Sequence, residues 1–181
     1  ISRKENEKHA CRNLGRGNFR TNNRISCMRE KEFPPLHPIG FKDISETDLH
    51  TEFVSPFAYQ AEDHRNNLLI GFGSFLNEFK ELGITAEVWV DGSFATTAPD
   101  PSDIDVVFYF HYDELGKLQG ERLEKFNKLF KSRKFILNLY NVEVHYAEIN
   151  NDLEYSEWRR VFGTCYDNIT PKGIFRLFYS N

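Results

Sequence analysis

No apolar run in this chain approaches the roughly 18 residues that a membrane span needs, so no segment reads as crossing a bilayer. The N-terminal stretch ISRKENEKHACRNLGRGNF has no apolar middle of the kind a secretory signal carries, and the expected location is the cytoplasm. Cysteine is scarce. Cys11, Cys27 and Cys165 are odd in number and show no Cys-x-x-Cys spacing, which offers neither a disulfide framework nor a zinc site. A uniform basic charge is also missing: 23 Lys and Arg stand against 27 Asp and Glu, a formal charge of −4. That balance is uneven along the chain. Residues 1–27 carry seven Lys and Arg against two Glu, a net +5, which leaves −9 for the remainder. An acidic body argues against a groove for long nucleic acid, while a basic tail suits an anionic partner.

The tail itself lacks helical or strand periodicity. Met28 is the single methionine, and MREKEFPPLHPIG reads as a natural start. Residues 1–32 are therefore expected to be a basic extension, disordered or not native to the domain, ahead of one domain spanning 33–181. That domain is of ordinary size. What it has in quantity is aromatic material for a core, 17 Phe and eight Tyr.

FPPLHPIG, residues 33–40, is proline-rich and extended and leads into the domain. Ser45 with Asp48 three residues on suggests a cap for a short helix within 43–53. The clearest helix covers 62–82, where Leu68, Phe72, Phe75, Phe79 and Leu82 recur at three- and four-residue spacing. ITAEVWV (84–90) reads as a strand delivering the chain to Gly92-Ser93, and Pro99 and Pro101 limit any helix that follows to about one turn. DIDVVFYFH (103–111) is a near-continuous apolar run, as a central strand should be. A helix near 120–132, a strand at 141–149, a short helix at SEWRRVF and a final strand IFRLFY follow. The order predicts an α/β (α+β) domain, a mixed sheet with helices packed on it.

Asp-Ile-Asp at the head of the 103–111 run raises the functional question. Alternation along a strand turns Asp103 and Asp105 the same way, with Ile104 opposite. Neighbouring carboxylates repel unless a cation, solvent or a proton intervenes, and hard oxygen donors suit Mg²⁺ or Mn²⁺. Glu143, in Val-Glu-Val, is a further acid in an apolar strand that needs a partner or a purpose. If the two strands are neighbours, the three acids can hold two divalent ions about 4 Å apart, the arrangement of in-line phosphoryl displacement. Gly92 lets a phosphate approach the backbone, and Ser93 adds a hydroxyl donor. Either feature alone is weak, since most Gly-Ser turns are only turns and most Asp-x-Asp pairs are not metal sites. At this spacing, with an acid-bearing strand downstream, they reinforce each other.

GSFATTAPDPSDIDVV resembles the signature of the polymerase-β-type nucleotidyltransferases: Gly-Ser, a short gap, Asp-apolar-Asp, then an acid on a later strand. FPPLHPIG, VWVDGSF and TPKGIF are similar to the layout of a sparsely characterised bacterial branch with a domain of unknown function, so the resemblance covers residues 33–179. It implies the nucleotidyltransferase fold in a minimal single-domain form, a divalent metal and a nucleoside triphosphate such as ATP. Gly92 and Ser93 would hold phosphate. Asp103 and Asp105 would hold metal, with Glu143 as the third acid and a candidate to help deprotonate an acceptor hydroxyl. Asp91 departs from the superfamily, where an apolar residue usually precedes the glycine. Lys172, in the Pro-Lys-Gly turn, is a candidate for a phosphate, although a turn lysine is more often simply solvated. Arg159, Arg160 and His145 are lesser candidates, for anion binding and proton transfer respectively. The expected activity is transfer of a nucleoside monophosphate to an acceptor hydroxyl on a small molecule, a protein or an RNA end. The alternative is a catalytically silent module of the same fold that binds a protein partner, as an antitoxin or regulatory subunit would.

Overall fold

A computed structural model of the chain describes residues 33–57, 61–165, 167 and 169–180, so the expectations for residues 1–32 fall outside the described residues. Among those described, the chain forms one five-stranded mixed sheet and six α-helices. In chain order these are β1 (Phe41–Asp43), α1 (Leu49–Phe53), α2 (Glu62–Lys80), β2 (Ala86–Asp91), β3 (Ile104–Phe110), α3 (Tyr112–Gly116), α4 (Gly120–Lys131), α5 (Arg133–Tyr140), β4 (Val142–Glu148), α6 (Asp152–Phe162) and β5 (Ile174–Tyr179). The spatial order is β1-β5-β2-β3-β4. β2 runs antiparallel to both of its neighbours, while β1 pairs parallel with β5 and β3 parallel with β4. This is the mixed sheet with packed helices that the element order predicts.

Alternation along the strands divides the interior into two cores. Val88, Val90, Ile104, Val106, Phe108, Phe110, Val142 and Val144 face one side, where α2, α4 and α5 cover them. Leu68, Phe72, Phe75, Leu76 and Phe79 bring the stripe of α2 down onto that face. The aromatic rings there interlock edge to face, as between Phe79 and Phe108 at 4.8 Å and between Phe110 and Phe130 at 5.4 Å. Trp89, Val107, Tyr109 and Ala147 face the other side and pack against Tyr155, Trp158 and Phe162 of α6. The Trp89 indole N–H, which would be costly to bury alone, donates to Glu87 Oε1 at 2.6 Å.

Three elements go beyond the sequence reading: the short helix α3, β1 and α5. β1 has only three residues and gains its identity from pairing with β5. The α5 stretch RKFILNLY is a two-turn amphipathic helix that buries Ile136 and leaves Phe135 and Leu139, at the edge of its apolar side, about half exposed. Asn141, in the left-handed region at φ 55°, stops α5 and turns the chain directly into β4. Ser45 opens the single turn Glu46–Asp48 that leads into α1, and the Asp48 carboxylate closes it by accepting both the Ser45 backbone N–H at 2.8 Å and its hydroxyl at 2.6 Å. Among the described residues, no helix is long and apolar enough to cross a membrane.

Candidate functional site

The strand registers create a row of acids. Asp91 of β2 pairs across the antiparallel ladder with Asp105 of β3, and Asp105 pairs across the parallel ladder with Glu143 of β4. Each is one residue removed from a side chain of the larger core, Val90, Val106 and Val144, so all three lie on the opposite face, the face of α6. They sit at the end of the sheet where β2 finishes and β3 and β4 begin. The aromatic side chains of α6 cover the next rows, around Trp89, Val107 and Tyr109.

Like charges directly opposite on neighbouring strands are unfavourable, and the fold answers this at both ends of the row. Lys172 Nζ lies 3.0 Å from Asp91 Oδ1, and both side chains are buried. Burial raises the Asp91 carboxyl above the ordinary range, and the Lys172 ammonium and the Gly92 N–H pull it back, while the nearby Asp105 adds to the rise. The ammonium of Lys172 is thus directed at Asp91, where it offsets that carboxylate's charge. At the far end, Arg133 Nη2 reaches Glu143 Oε1 at 3.0 Å and His145 Nε2 at 3.0 Å. His145 in turn packs on the Trp158 ring, 4.6 Å between centroids.

Gly92 has φ 76°, a conformation side chains avoid, and a Cβ placed on it would come 1.9 Å from Asp105 Oδ2. The glycine therefore lets the chain turn immediately beside this carboxylate. Ser93, next along, is exposed at the mouth of the turn. Gly92→Ala is expected to lower the melting temperature through a strain of about 1–3 kcal/mol and to push Asp105 out of place. Thermal unfolding of the variant checks this.

Three distant stretches meet at this turn. Leu36 N–H donates to Ala95 O at 3.0 Å and Thr97 N–H to Pro34 O at 2.8 Å, zipping the 33–40 segment to the Gly92–Ala98 loop. Gly173 N–H donates to His37 O at 2.7 Å, and a Cβ on Gly173 would strike the His37 ring at 2.3 Å. FPPLHPIG, VWVDGSF and TPKGIF, whose first and last members begin 137 residues apart, are thus neighbours in space.

The loop is clamped from behind by Arg65 of α2, which sequence reasoning passed over. Its guanidinium is fully buried and donates to the carbonyl oxygens of Phe53, Phe94, Thr96 and Ala98 at 2.7–3.3 Å. It also stacks 3.6 Å from the Phe57 ring centroid. Burial lowers its pKa to about 10, still far above neutrality, so it stays charged. A signal was present: Arg65 falls three residues before Leu68 and seven before Phe72, on the apolar stripe of α2.

Asp103 lies one residue before β3, so strand alternation does not set its direction. It is buried and accepts from the Ser102 hydroxyl at 3.0 Å. Arg159 sits over the Phe41 ring at 5.5 Å and Arg160 is exposed on α6. The donor chemistry of Asp105 and Glu143 suits a hard divalent ion, and Gly92 leaves open the space beside Asp105 that a Cβ would fill. As placed, however, the described residues contain no group of three or more His, Cys, Asp and Glu arranged to hold a metal ion. Glu143 is engaged by Arg133 and Asp103 by Ser102.

No curated protein and no solved structure matches this chain. A family model described as a family of unknown function (DUF6932) matches residues 31–178, the whole of the sheet but its last residue together with the three converging stretches, and the chain belongs to that family.

Proposed function

We propose that this protein is a metal-dependent nucleotidyltransferase, moving a nucleoside monophosphate from a nucleoside triphosphate to an acceptor hydroxyl with release of pyrophosphate. The observation that carries the reading is the pairing of Asp105 with Glu143 on one face, beside a glycine turn whose backbone passes close to the Asp105 carboxylate. Asp105, Glu143 and Asp103 would hold Mg²⁺ or Mn²⁺. When bound, the ion would supply Lewis-acid stabilisation of charge on the phosphate oxygens. Ser93 would donate its hydroxyl to the triphosphate from the mouth of the turn, and Arg65 would keep the loop in the conformation that presents it. Lys172 would hold Asp91 in check, so that the departure from the superfamily pattern at that position costs little. Glu143, on the strand beside Asp105, would accept a proton from the acceptor hydroxyl.

A second reading, a silent binding module of the same fold, draws on one observation: Glu143 is already engaged by Arg133. A panel of labelled triphosphates incubated with the protein, Mg²⁺ or Mn²⁺ and cell extract separates the two. Transferase activity predicts a labelled acceptor that disappears without divalent ion. No label from any triphosphate favours the binding module.

A further inference from the structure

We infer that Arg133 is a built-in counter-ion for the acid row, which competes with a divalent cation for Glu143 and is displaced when the cation binds. The inference rests on Glu143 being an ion ligand, as proposed above, and goes beyond it by assigning Arg133 a role that no sequence motif suggests.

The geometry is specific. Arg133 is the first residue of α5, and α5 leads directly through Asn141 into β4, so the guanidinium returns to the strand that follows its own helix. One nitrogen, Nη2, meets both Glu143 Oε1 and His145 Nε2 at 3.0 Å. These two residues are two apart on β4 and share a face, so a single nitrogen bridges consecutive positions of the row. As a donor with no lone pair to offer, Arg133 requires His145 Nε2 to be the acceptor, which leaves the ring proton on Nδ1. Glu143 is largely shielded, at 16 % side-chain exposure, whereas Arg133 is 49 % exposed. A partly shielded acid held by a half-exposed arginine is an asymmetric pair: the arginine can swing into solvent at little cost, while the acid stays where the strand puts it.

The other end of the row differs. Lys172 is buried with Asp91 and cannot leave without stranding a charge in the interior. The permanent counter-ion therefore sits at Asp91 and the exchangeable one at Glu143. Arg133 would satisfy Glu143 in the ion-free protein, limit the repulsion along the row, and leave when a divalent ion takes the carboxylate. Competition for one carboxylate makes a signed prediction, because removing a competitor strengthens binding, whereas removing a merely structural contact weakens it or leaves it alone.

The test is titration with Mn²⁺ alone, followed by the electron-spin signal of the free ion, on the wild type, Arg133→Gln, Arg133→Lys and Arg133→Gln/Glu143→Gln. An exposed pair is worth roughly 0.2–1 kcal/mol, so Arg133→Gln should bind Mn²⁺ about 1.5- to 5-fold more tightly than the wild type. Arg133→Lys, which keeps the charge, should stay near the wild type, and the gain should vanish in the double variant. Thermal unfolding checks that each variant is folded. Unchanged or weaker Mn²⁺ binding by folded Arg133→Gln overturns the inference, as does an absence of binding by every protein up to about 10 mM. An equal gain in Arg133→Lys overturns it too, because the effect would not then be one of charge. The transferase reading fails separately: Mn²⁺ competition as described without any triphosphate binding would leave Arg133's role standing and remove the nucleotide.

Discussion

Replacing Arg65 by methionine is expected to lower the melting temperature by roughly 6–20 °C, the equivalent of about 3–5 kcal/mol in a chain of this size. The side chain that disappears is the one that satisfies carbonyl groups of Phe53, Phe94, Thr96 and Ala98 in a fully buried position. Methionine fills much of the volume but has no donor. Each stranded carbonyl costs about 1–3 kcal/mol, and the relief of no longer burying a guanidinium offsets part of the total. Arg65→Lys should recover only a fraction, because a compact ammonium cannot serve a fan of carbonyls that a planar five-donor fork can reach. The loss should be felt first in the Gly92–Ala98 loop, where three of the four acceptors lie. Faster amide exchange there, ahead of the sheet, would accompany it. A fall of less than about 3 °C would mean that water replaces the guanidinium and that the loop is held by its other contacts.

The second large effect concerns Asp105. Asp105→Asn should abolish transfer, a loss of at least about a hundredfold, since a metal ligand is a more direct requirement than the supporting groups whose loss alone costs 10- to 100-fold. Its effect on stability should have the opposite sign. Asp105 stands opposite Asp91 in the ladder and raises the Asp91 carboxyl, so its charge opposes the pairing it belongs to. Asparagine removes that charge at nearly constant shape. The ion-free variant is therefore expected to melt at the wild-type temperature or slightly above. A structural aspartate would give the reverse, a variant that melts lower and keeps its response to metal.

Much of the fold could be read because it rests on periodicity. The stripe from Leu68 to Phe79 and the apolar run from Ile104 to Phe110 are long enough for their spacing to declare a helix and a strand, and the structure forms α2 and β3 there. β1, α3 and α5 escaped for physical reasons, α3 because five residues make little more than one turn and offer no period to read. β1 is three residues whose strand character depends on β5, 133 residues away in sequence. α5 spans only eight residues, about two turns, too few for its spacing to stand apart from the helix before it. Alternation predicts one face for Asp103 and Asp105, which the structure does not set because Asp103 precedes β3, and in the candidate site Asp105 and Glu143 were legible only as acids between apolar strand neighbours. Their adjacency was not, since a strand does not name its neighbour. Lys172 and Asp91 were each visible in sequence, but their pairing is a long-range contact. Arg133 carried no signal, because its role depends on a helix that the pattern did not reveal. The placement of Asp103 outside β3 depends on where the ladder begins, and boundaries are where pattern reading is weakest.

Whether the acid row couples a divalent ion to a triphosphate decides the proposed site most directly. Calorimetric titration of a nonhydrolysable nucleoside triphosphate into wild type and Asp105→Asn, each with and without Mn²⁺, measures that coupling. The expected result is binding by the wild type that strengthens at least about tenfold when Mn²⁺ is present, and no such gain in Asp105→Asn. Triphosphate binding that ignores Mn²⁺, or a gain that survives Asp105→Asn unchanged, would place the ion elsewhere and contradict the proposed site.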